Sequence, residues 1–87
     1  MFLESEVTNF QQRVIIGIIR QLETRIITNG LNKQDLATLW TRKGYFHCRL
    51  GDNPAAKAAY ERALKINPKN TTAEKALKSL QGVILPL

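Results

Sequence analysis

Two breaks in the second half of the chain, Gly51-Asp52-Asn53-Pro54 and Pro68, dictate where helices can run. The first reads as a turn followed by a helix start. Asn53 is placed to cap, and Pro54 takes the first helical position, where its missing N–H costs nothing. The helix that follows runs from Pro54 to about Ile66, because the residue before Pro68 is steered out of the helical region. Ala55, Ala56, Ala59, Tyr60, Ala63 and Leu64 recur along it at helical spacing. Upstream, Asn32 caps a helix that carries Leu36, Leu39, Trp40, Tyr45 and Phe46 to about Leu50, with Asp35 favouring its positive end. A short turn between two such segments predicts an antiparallel helix hairpin.

The flanks predict two more helices. One runs from about Glu6 to Thr28, with Ser5 as its cap and Asn29-Gly30 as its left-handed stop. Its apolar residues cover an arc of roughly 180°, wider than the ~100° stripe that one neighbour buries, so this helix wants more than one partner. Val14–Ile19 is rich in β-branched residues, which makes a strand the competing assignment. The other helix opens on Thr71-Thr72-Ala73-Glu74, a capping-box pattern, and ends near Gln81-Gly82. The tail, residues 82–87, holds the aliphatic residues Val83, Ile84, Leu85 and Leu87, which either fold back over the helices or dock into a partner. The expected fold is all-α, a single domain over residues 1–87: a long N-terminal helix (6–28), the hairpin (37–70), a closing helix (71–81) and the apolar tail.

Composition limits the function. At 87 residues with 23% charged and 44% hydrophobic residues, the chain is globular in type, yet it buries only roughly 60–65% of its unfolded surface. The net charge of +6 attracts acidic partners of any class, but the basic residues are scattered from Arg13 to Lys78 without a run of three. The single cysteine, Cys48, excludes an internal disulfide and fits a reducing compartment. The N-terminus lacks the basic start of a secretory signal. The longest apolar run, Val14–Ile19, is far short of the ~20 residues that cross a bilayer. These features lead to the expectation of a soluble, cytoplasmic protein without a membrane span.

Ala37 to Asn70 resembles a tetratricopeptide repeat, whose period of about 34 residues carries a W-x-x-L-G-x-x-Y, A-x-x-x-F, P pattern on two antiparallel helices. Trp40 stands in the tryptophan slot and Gly44 in the glycine slot. Gly51 sits at the turn, and Ala56, Tyr60, Ala63 and Pro68 follow in register, with Tyr60 in place of phenylalanine. Lys43 occupies the leucine slot and His47 the tyrosine slot. One copy is visible, and the helix after it resembles the capping helix that closes such arrays. About three repeats are usually needed for stability, so the N-terminal helix is expected to supply missing surface and a second protomer more.

The resemblance implies a scaffold for another protein or peptide, bound by the inner face of the first hairpin helix. That face carries Thr38, Thr41, Arg42, Tyr45 and Arg49. The grip on a chaperone C-terminus known in some members does not carry over, since Thr41 and Tyr45 stand where a lysine and an asparagine belong. Self-association as a homodimer is expected through Ile15, Ile16, Ile19 and Ile27 with Val83, Ile84 and Leu85. No catalytic, cofactor or metal constellation is present in the sequence. His47 and Cys48 are adjacent, and neighbours on a helix point about 100° apart. The alternative reading is a basic nucleic-acid-binding regulator, for which Gln34-Asp35-Leu36-Ala37 offers a faint helix-turn-helix opening. Binding of that kind which vanishes by about 200 mM salt would be non-specific. Membrane-surface association through Arg13, Arg20 and Arg25 ranks last, because the same helix is expected to be packed.

Overall fold

The computed structural model describes residues 4–28 and 30–82, and the order is α1 (Glu4–Ile26), α2 (Lys33–Arg49), α3 (Asn53–Ile66) and α4 (Thr71–Gly82). There is no strand among the described residues, and Val14–Ile19 is helical. Ser5 lies inside α1 rather than capping it. The helix ends two residues before Thr28, in a last turn held by Ile27 N donating to the Glu23 carbonyl at 3.2 Å. Gly30 then takes φ 96°, the left-handed region that glycine enters without penalty.

The expected start of α2 is observed, with Asn32 Oδ1 accepting from Asp35 N at 2.7 Å. Its end is a Schellman closure: Asp52 N donates to the His47 carbonyl at 2.9 Å and Gly51 N to the Cys48 carbonyl at 3.0 Å, with Gly51 at φ 79°. Two caps differ from the sequence expectation by one residue each. Asp52, not Asn53, caps α3 and accepts from Ala55 N at 3.2 Å, so Pro54 falls one place inside the helix. Asn70, not Thr71, caps α4 and accepts from Ala73 N at 3.0 Å. In each pair either residue type is a competent cap, and at Asn70 a tertiary hydrogen bond to Thr41 favours the one observed.

The hairpin α2–α3 is the centre of the molecule. Ala56, Ala63 and Ala73 are fully buried, and Tyr60 is 4% exposed among them. Trp40, Leu64, Leu77 and Leu80 pack around this cluster. Gly44 sets the closeness of the two helices: a Cβ there would lie 2.7 Å from Tyr60 Cε1, so the ring rests directly on the α2 backbone. On the other side, α1 packs on α2 and meets neither α3 nor α4. Ile19 and Leu22 of α1 and Leu39 of α2 are buried there, and Lys43, one turn after Leu39, pairs with Glu23 at 3.6 Å. The Cα body is 15 Å thick, about two packed helices.

The candidate protein-interaction face

Three helices contact α2 from different directions. Leu39 and Lys43 face α1, while Gly44 faces Tyr60 of α3. Thr41 faces the start of α4. The side left open carries Thr38, Arg42, Tyr45 and Arg49, at spacings of four, three and four residues that keep them on one stripe. Tyr45 is 49% exposed, and its ring meets Phe46 edge-on at 5.1 Å. Arg49 lies over it, Cζ 5.8 Å from the ring centroid, with Nη1 donating to the phenol oxygen at 3.3 Å. The Thr38 hydroxyl donates to the Gln34 carbonyl at 3.0 Å.

Thr41 does not belong to this face, contrary to the sequence expectation. It is 8% exposed, its hydroxyl donates to the Ala37 carbonyl at 2.8 Å, and it accepts from Asn70 Nδ2 at 3.1 Å. One asparagine therefore caps α4 with its oxygen and ties α4 to α2 with its nitrogen. Thr41 and Tyr45 are one turn apart, but the packing of α4 takes the first and leaves the second.

The structure adds Phe10 and Val14 to the face. They are 68% and 47% exposed, and with Gln11, Gln12, Ile15 and Arg49 they line a cleft of about 360 Å³ between α1 and the end of α2. At the other end Arg25, Asp35, Thr38 and Arg42 border a smaller cleft of about 230 Å³. The face is thus an aromatic and aliphatic patch at one end and a mainly cationic one at the other. Phe10 and Val14 had a signal in the sequence, since the apolar arc of α1 exceeds what α2 covers.

The residues expected in self-association separate. Ile19 is 6% exposed and spent against α2, which removes it from any free surface, and Ile15 is half-buried. Ile16 and Ile27 are 41% and 80% exposed. Val83, Ile84 and Leu85 lie outside the described residues.

Lys43 and His47, the two departures from the repeat pattern, are accommodated differently. Lys43 answers Glu23 of α1 and stands 4.8 Å from the Trp40 ring centroid. His47 has a buried Nδ1 without a hydrogen-bond partner among the described residues. Burial pushes the Tyr60 phenol up from its usual pKa, with the Cys48 and Tyr45 side chains adding to the shift. Among the described residues no three His, Cys, Asp or Glu side chains converge as a metal site would need. No helix described is long and apolar enough to cross a membrane.

Comparison with known proteins gives one match, in which residues 37–70 fit the family model of the tetratricopeptide repeat. No curated protein and no solved structure matches the chain.

Proposed function

Residues 37–70 of this chain are a tetratricopeptide repeat set between two further helices, and from that premise we propose that the chain is a non-enzymatic adaptor that binds another protein through the open side of α2. The observation that carries the proposal is the cluster of Tyr45, Arg49, Phe10 and Val14. Arg49 lines one cleft with Phe10 and Val14 and lies over the exposed Tyr45 ring beside it. Tyrosine and arginine are the residues most often found as binding anchors, and a partner that closes the cleft would desolvate both. Repeats of this family generally mediate protein–protein interaction, and a lone repeat leaves its faces uncovered.

The test is capture by immobilised full-length chain, compared with the double variant Tyr45→Ala/Arg49→Glu. Both positions are exposed, so circular dichroism should stay the same while the specifically retained protein is lost. Retention of the same protein by the double variant would reject the face.

Self-association is the second element of the proposal, carried by the exposed Ile16 of α1 and the exposed Ile27 just past its end. A solution mass by light scattering that is dimeric for the native chain and monomeric for Ile16→Gln/Ile27→Gln supports it. A monomer at every concentration rejects it. Nucleic-acid binding is the alternative reading, raised by the net charge of +6.

A further inference from the structure

A second open surface lies about 160° around α2 from Tyr45, on the stripe of Trp40, Lys43 and His47. There α2 forms the floor of a groove of about 380 Å³ whose far wall is Ala55, Ala59 and Arg62 of α3. Among the described residues the near wall is open, because α1 meets α2 but not α3. We propose that this groove seats an acidic helix of a partner protein, independently of the Tyr45 face.

Two observations select that occupant. First, charge: Lys43 Nζ is 4.8 Å and Arg62 Cζ 5.9 Å from the Trp40 ring centroid, and Lys43 is already paired with Glu23 of α1 at 3.6 Å, which leaves Arg62 as the cation the groove offers. No acid lines the groove, and among the described residues Arg62 has no carboxylate within salt-bridge distance. A carboxylate beside Arg62 would form a charge-assisted pair on the planar guanidinium. Second, shape: the α3 wall is built of alanines, which let another backbone come close, and the floor from Trp40 to His47 runs for two turns, about 10 Å. A helix fits a straight groove of that length with its own hydrogen bonds satisfied.

A second copy of this chain is a poor occupant. Each copy carries a net charge of +6, so closing the groove with one would bring two like-charged molecules together. Ile16 and Ile27 do not line this groove.

Trp40 is the chain's single tryptophan and reports on the groove directly. The experiment titrates the full chain with a synthetic amphipathic helical peptide of about five turns whose polar face is all glutamate, and reads Trp40 emission. The expected result is a saturable change at physiological salt, weakened at least tenfold by Arg62→Glu and, without any charge change, by Ala58→Phe, which fills the groove from an exposed position. Tyr45→Ala should leave it unchanged, which separates this site from the face proposed above. The assignment is overturned by no response, by an equal response to the lysine version of the peptide or to a single-stranded oligonucleotide, or by equal affinity in the Arg62 and Ala58 variants. It is also overturned by a Trp40 change that follows chain concentration alone, which would put a second copy in the groove.

Discussion

Gly44 and Gly17 are both helical glycines, and the structure assigns them opposite roles. A methyl group at Gly44 would meet the Tyr60 ring at 2.7 Å, and that ring is too buried to swing away. Overpacking of this kind costs about 1–3 kcal/mol, which outweighs the ~0.5–1 kcal/mol that alanine gains over glycine in a helix. Nothing lies within 4 Å of a methyl group at Gly17. Urea unfolding should therefore show Gly44→Ala less stable than the native chain and Gly17→Ala more stable. The need for a glycine at 44 was legible in the sequence from the repeat pattern. Tyr60 was legible as a packing residue, but the rise in its pKa was not, because that depends on burial. An acid whose pKa is raised by folding stays protonated in the native state while the unfolded chain ionises near pH 10. Its contribution to stability is complete below that value and is lost as pH climbs through it. Unfolding midpoints of the native chain should fall between pH 9 and pH 11 by more than those of Tyr60→Phe.

Helices as units were largely readable, because α2, α3 and α4 are bracketed by glycine, proline and capping side chains. The one-residue differences at Asp52 and Asn70 arise where two good caps stand next to each other and sequence alone cannot rank them. At Asn70 the ranking comes from Thr41, which lies 29 residues earlier and holds the amide nitrogen. Replacing Thr41 by valine keeps the shape and removes the acceptor, so the half-buried Asn70 amide loses its partner. The loss should be about 1–2 kcal/mol by thermal unfolding, and amides in the first turn of α4 should exchange faster. The attachment of α1 is the weaker joint, since it meets α2 alone. Truncating Ile19 to alanine should cost about 2 kcal/mol or more and raise hydrogen exchange in α1, while α3 keeps its protection. Uniform loss of protection across all four helices would instead mean that α1 folds as part of one cooperative unit with the hairpin.

Seen whole, the molecule is a thin body with two open sides of α2, one around Tyr45 and one around Trp40. The sequence pointed to the first side through the spacing of Thr38, Arg42, Tyr45 and Arg49, yet included Thr41 because the position of α4 was not readable. It omitted Phe10 and Val14, since helical phase shows that an arc is too wide but not which edge stays uncovered. The Trp40 side was hidden further, as it exists only because α1 stops short of α3. The most direct test of the adaptor function is photo-cross-linking of the full-length chain in its native cell, with p-benzoylphenylalanine placed at Tyr45 or at the exposed α3 residue Lys57. A discrete protein adduct from position 45, absent from position 57, is the predicted result. Adducts of equal yield from both positions, or an adduct to nucleic acid rather than protein at position 45, would contradict it.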